Sequence, residues 1–137
     1  MKREIRFRGK VIDTSSVIDK KKEFSKMLSI GDWATGQIYF NKGKAFVGCY
    51  GEWYRVDPET VGQLTGLKDK NDVEIWESDT VLAGGINYEV YQHPSGDWQA
   101  GGLSIWEQSG EYSEENEWEV VGNVFDNPEL MENNYES

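Results

Sequence analysis

The chain has 137 residues, of which 37% are hydrophobic, with 6 Trp, 7 Tyr and 5 Phe. That is the size of one ordinary domain or of two very small modules sharing a core, and its large rings offset the scarcity of aliphatics and suit the pleated surface of β-sheets. A net charge of −11 argues against a general nucleic-acid binder, because phosphates repel an acidic body, and no apolar run approaches the roughly 20 residues of a membrane span.

The charge is unevenly spread. Residues 1–26 hold nine of the 14 basic residues and four of the 25 acids, a local balance of +5, which leaves −16 for the remainder. Such a basic end is either a mixed solvated surface or a segment that docks on its own chain or on a neighbour. The single cysteine, Cys49, has no intramolecular disulfide partner and reads as a small buried hydrophobe. The N-terminus is charged and carries no apolar signal core. A soluble cytoplasmic protein is expected.

In chain order, Glu4 to Arg8 alternates strictly. Ile5 and Phe7 take one face, Glu4, Arg6 and Arg8 the other, and Gly9 closes the strand. Residues 13–28 leave two readings open. Asp13 is placed to cap a helix carrying Val17, Phe24, Met27 and Leu28 on one face, but the lysine run at 20–22 fits a charged loop equally well. Residues 31–56 read as a meander. One strand covers Trp33 to Phe40, a turn falls at 41–44, and a return strand runs from Ala45 to Tyr50. Gly51-Glu52 turns again before Trp53 to Val56. At Asp57-Pro58-Glu59-Thr60-Val61 the aspartate is placed to cap one helical turn, with proline in its first position. Gly62 and Gly66 keep that element short, and its expected task is to reverse the chain between two sheets.

Residues 67–72 form a polar turn. Short strands then follow at 73–76, 80–82, 86–91, 98–100, 103–106 and 118–124. They are separated by Glu77-Ser78-Asp79, Gly84-Gly85, Pro94-Ser95-Gly96, Gly101-Gly102 and an acidic loop at 107–117. Asn127-Pro128 ends the last strand. Many short strands with glycine-rich turns indicate a mainly β fold of short antiparallel strands. The expected form is one compact unit of two small β-subdomains, the second SH3-barrel-like, with at most one or two short helices and a seam near 57–72.

Chemistry is sparsely signalled. His93, the one histidine, sits before Pro94 next to a turn, and nothing brings it to Cys49 as a nucleophile–base pair requires. Zinc needs more Cys and His than this chain has. Asp69, Asn71, Asp72 and Glu74 have some of the spacing of a calcium loop, but they lack its length and its glycine. With 25 acids some carboxylate pair is always close, so paired carboxylates carry no information. There is no P-loop and no dinucleotide fingerprint. No cofactor or metal is expected. Six tryptophans near strand ends would suit a single-strand stacking platform, which the acidic balance opposes.

Three segments resemble the YopX family of phage and prophage proteins. They are Glu4 to Lys10, Val56 to Asn71 continuing to Glu74-Ile75, and Val120 to Leu130. The resemblance implies a mainly β protein encoded by phages or prophages over a single domain, 1–137, and it brings no activity. One departure is visible. The family pattern after Ile75 is an aromatic followed by Glu-Gly-Asp, whereas here Ser78 takes the glycine's place; a position that needs positive φ would strain a serine. The leading expectation is a non-enzymatic protein that binds a protein partner or assembles with itself, including as a homo-oligomer. Its candidate surface is Arg6, Arg8, Trp53, Trp76, Trp98 and Trp106. An acidic DNA mimic directed at a host nucleic-acid-binding protein is the second reading, and a carboxylate-dependent enzyme the third.

Overall fold

A computed structural model describes residues 5–15, 28–106 and 117–132. The chain forms two compact units, Met1–Gln63 and Leu64–Ser137, and the fold is mainly β. The helix-or-loop question at 13–28 lies outside the described residues except at its ends, as does nearly all of the acidic loop at 107–117.

The first unit is a small barrel of four strands: β1 (Phe7–Asp13), β2 (Trp33–Asn41), β3 (Lys44–Cys49) and β4 (Glu52–Val56). β2, β3 and β4 form the expected meander. β1 closes the ring, pairing antiparallel with β2 through Phe7 to Lys10 and with β4 through Val11 and Asp13. Side-chain alternation sends Ala45 and Val47 of β3 and Tyr54 and Val56 of β4 inward, where they meet Val11, Ala34 and Leu28. The Tyr54 hydroxyl accepts a hydrogen bond from the Leu28 N–H at 3.2 Å, so the one polar atom of this buried ring is satisfied.

Two-residue turns set the registers. Lys42-Gly43 and Tyr50-Gly51 both carry positive φ, the signature of the type I′ turn whose twist matches that of its strands. Tyr50 therefore belongs to the second turn rather than to the strand before it. Gly36 is required for another reason, since a Cβ there would fall 1.9 Å from the Gly48 carbonyl oxygen. This close backbone approach marks a bend in the barrel wall.

β1 departs from its sequence reading in three respects. It begins at Phe7, so Ile5 lies outside the strand and is exposed. Gly9 does not end the strand, which continues to Asp13. The glycine is there because a Cβ would sit 2.7 Å from Val56 Cγ2, so it admits β4 close to β1. Arg8 is not on an open face. It is buried, with its guanidinium carbon 4.6 Å from the centre of the Trp33 ring, a geometry in which cation–π attraction offsets part of the desolvation.

The Asp57 segment forms a 3₁₀ turn, Pro58–Thr60, with the Asp57 carboxylate accepting from the Glu59 N–H at 3.0 Å. It does not reverse the chain. The next strand, β5 (Gly62–Lys68), begins by pairing with β1 through Gly62 and Gln63, antiparallel as β4 is. β4 and the start of β5 are thus one line of chain interrupted by a jog. The Asp57 N–H donates to the Lys10 carbonyl at 2.9 Å, and the Lys10 N–H donates to Thr60 Oγ1 at 2.9 Å. Thr60 is buried, and its hydroxyl in turn donates to the Asp57 carbonyl at 2.7 Å.

The second unit holds the rest of β5 paired with β6 (Glu74–Trp76), and an antiparallel sheet. The sheet consists of β7 (Asp79–Ala83), β8 (Ile86–Gln92), β9 (Trp98–Ala100), β10 (Leu103–Ser104) and β11 (Glu119–Asn123), in the order β10-β9-β8-β7-β11. Ring closure by strand pairing is found in the first unit. In the second, where an SH3-like barrel was expected, the described strands form this sheet and the β5–β6 pair. Ile75, Val81, Val90, Ala100, Ile105 and Trp118 make its core. A single short helix, α1 (Glu129–Glu132), follows β11 among the described residues.

Two polar features hold its turns. Buried Asp69 accepts from the N–H groups of Asn71, Val73 and Val120 at 2.8–2.9 Å, which ties the β5–β6 turn to β11. Asn123 Oδ1 accepts from the Phe125 and Asp126 N–H groups, folding the chain after β11 back on itself. Ser78 does stand at positive φ, +69°.

Two outcomes follow from these contacts. Thr60→Val keeps the shape of the side chain and strands the Lys10 N–H, so chemical denaturation is expected to show a loss of about 1–3 kcal/mol. Ser78→Gly relieves the left-handed strain at the cost of a looser unfolded chain, and the same measurement is expected to show a net gain of about 0.5–1 kcal/mol.

Candidate functional site

The outward positions of the β2–β3–β4 meander carry the most distinctive surface of the first unit. The register places Tyr39 opposite Phe46, Phe46 opposite Arg55, and Gly48 opposite Trp53. Because Gly48 has no side chain, the Trp53 ring lies across it, 3.3 Å from where a Cβ would stand. This brings the indole within 5.8 Å of the Tyr39 ring, which is itself 6.1 Å from Phe46. The interplanar angles are 55° and 42°, so the rings are walls rather than a stack. With Asn41 they line an open groove of about 290 Å³. Tyr39 is 50% and Trp53 44% exposed.

The groove's border is cationic. Lys42 and Lys44 stand exposed in and beside the β2–β3 turn, and Arg55 flanks Phe46. Asp13 lies 3.9 Å from Arg55. Its carboxyl is held below the usual range first by hydrogen bonds from Ser15, then by Arg55 and Lys44.

The six residues singled out from the sequence are divided between the two units. Trp53 belongs to the groove. Arg6 donates to Thr35 Oγ1 at 3.3 Å and Arg8 lies on Trp33; at the usual strand rise these two β2 residues are about 13 and about 20 Å from Tyr39. Trp76, Trp98 and Trp106 are in the second unit. Trp76 is buried, Trp98 packs against the core there, and of these three only Trp106 is largely exposed. Tyr39, Phe46 and Asn41 were missed. Their signal was available in the alternation of 37–56 once the turns were placed at 42–43 and 50–51.

His93 is part of a turn, with its Nδ1 accepting from the Ser95 N–H at 3.1 Å and lying 2.9 Å from Ser95 Oγ. Cys49 packs against the barrel core. The Asp69 carboxylate, weighed as a cation ligand, is occupied by three backbone N–H groups. Among the described residues no group of three or more His, Cys, Asp or Glu is placed to hold a metal ion. No described helix is long and apolar enough to cross a membrane.

No curated protein shows significant similarity to the chain. A crystal structure of protein EF1440 from Enterococcus faecalis is similar over 93% of this chain and 98% of that chain, at 22% identity and a TM-score of 0.47. The model of the family described as YopX protein matches residues 6–132, nearly the whole sequence, and the chain belongs to the YopX family.

Proposed function

We propose that this is a non-enzymatic interaction protein, acting in the cytoplasm of a bacterial host, that binds a protein partner or a second copy of itself through the aromatic face of its barrel. The observation that carries the reading is the presence around one open groove of Tyr39 and Phe46, paired across β2 and β3, and of Trp53, which reaches them diagonally from β4 over Gly48. Single exposed hydrophobes are ordinary on a protein surface, whereas a contiguous cluster of rings is not. Aromatic residues are enriched at the centres of protein interfaces, where a few anchors dominate the binding energy. The ring of β1 to β4 supports this face from behind with a closed, apolar interior. Binding therefore requires little ordering of the backbone, which lowers the entropic cost of association.

Trp53→Ala removes the groove's largest wall and leaves the barrel interior untouched, since the indole lies on the outer surface. The substitution is expected to weaken a complex by about 2 kcal/mol, roughly thirtyfold. Size-exclusion chromatography with light scattering, together with pull-down from bacterial lysate, reads the result. A wild-type protein that runs as a strict monomer and retains nothing contradicts the reading, as does a complex that Trp53→Ala leaves unchanged.

A further inference from the structure

We infer that the groove takes an extended, proline-containing peptide segment with acidic residues flanking the proline; this rests on the interaction reading above and names the partner's chemistry. The size of the groove comes first. About 290 Å³ falls just under the usual range for ligand pockets, enough for one or two compact side chains and too little for a folded element. The shape comes next. Rings tilted at 42° and 55° to one another form a trough with apolar sides, whereas stacked bases favour flat, open ring faces. Aromatic troughs of this kind recognise polyproline II segments, which are already extended and lose little entropy on docking. Asn41 supplies the polar group in the lining. Its amide both donates and accepts, which suits the solvated backbone of such a segment.

Charge selects the flanks. Lys44, opposite Asn41, and Arg55, opposite Phe46, border the groove, with exposed Lys42 in the adjoining turn and Asp13 3.9 Å from Arg55. A cationic guest, which three aromatic rings would otherwise attract, meets these like charges at close range. The acidity of the chain as a whole does not cancel them. Screening confines each charge to about 8 Å at physiological ionic strength, so a docked peptide responds to the cations beside it.

Selection from a displayed library of random dodecapeptides on the full chain, with Trp53→Ala for counter-selection, tests the inference. The expected consensus is proline flanked by Asp or Glu. Fluorescence anisotropy with a selected peptide is expected to show at least tenfold weaker binding to Trp53→Ala. A three- to tenfold weakening is expected for the doubly exposed variant Lys42→Glu/Lys44→Glu, which touches no buried group and so keeps the test independent of folding. Trp53-dependent binders with neutral or basic flanks, or without proline, overturn this inference and leave the interaction reading standing. Failure to enrich any Trp53-dependent sequence overturns both. A labelled oligothymidine that binds this face more tightly than any selected peptide overturns the inference in favour of nucleic acid.

Discussion

The barrel depends on the peptide groups of a single residue, Lys10. Its N–H goes to the Thr60 hydroxyl and its carbonyl to the Asp57 N–H, so both main-chain groups are committed to the short turn between β4 and β5. Without that turn β1 would meet β4 along one stretch and β5 along another with a gap between them, and both backbone groups of half-buried Lys10 would lose these partners, a cost that rises toward about 1–3 kcal/mol each as water is excluded. With it, one edge of β1 is covered through Val11 and Asp13 by β4, at Lys10 by the 3₁₀ turn, and at Phe7 and Arg8 by the start of β5. Gly9 completes the arrangement by letting Val56 approach closely. The longest of the three segments that resemble the family thus has a mechanical role: Asp57 caps the turn, Pro58 presets it, and Thr60 locks it to the opposite strand.

Closing the ring determines what the outside can be. Inward positions of β2 to β4 are taken by small and branched side chains and Tyr54, and the alternating positions must face outward whatever their chemistry. In this chain those positions include Tyr39, Phe46 and Trp53 around the groove and Lys44 and Arg55 beside it. A strongly acidic protein in this way carries a compact face of opposite character on its first unit. At the scale of a Debye length the local residues decide which partner is accepted, while the overall charge acts mainly on solubility and long-range encounter.

Much of this was legible in the sequence, and the remainder failed for identifiable reasons. Residues 33–56 could be read because strand periodicity and turn chemistry are local; Lys42-Gly43 and Gly84-Gly85 announce their turns. The capped turn at Asp57-Pro58 was legible for the same reason. Its direction was not, because that depends on Lys10, far back along the chain. Gly9 looked like a strand terminator, which is what a glycine resembles when its neighbour Val56 is unseen. Arg8 looked like a solvent-facing charge, since nothing in the residues around it predicts Trp33 beneath the guanidinium. Asp69 read as one more acid in a polar turn, although its second oxygen accepts the Val120 N–H, 51 positions away. At Ser78 the sequence raised positive φ as a condition for strain, and the turn meets that condition. The groove was half seen. Trp53 stands out by its ring alone, while Tyr39 and Phe46 become its neighbours only when the register is known.

Native-state amide hydrogen exchange tests the central claim, that the Lys10–Thr60 contact closes the barrel, most directly. If the turn clasps β1 in the ring, the Lys10 amide exchanges only with global unfolding of the first unit, at the same free energy and with the same denaturant dependence as the most protected amides of β3. If the Lys10 amide exchanges through a low-energy local opening while β3 stays fully protected, the turn is an attachment to a barrel that closes without it, and the Lys10–Thr60 contact is not what holds the ring together.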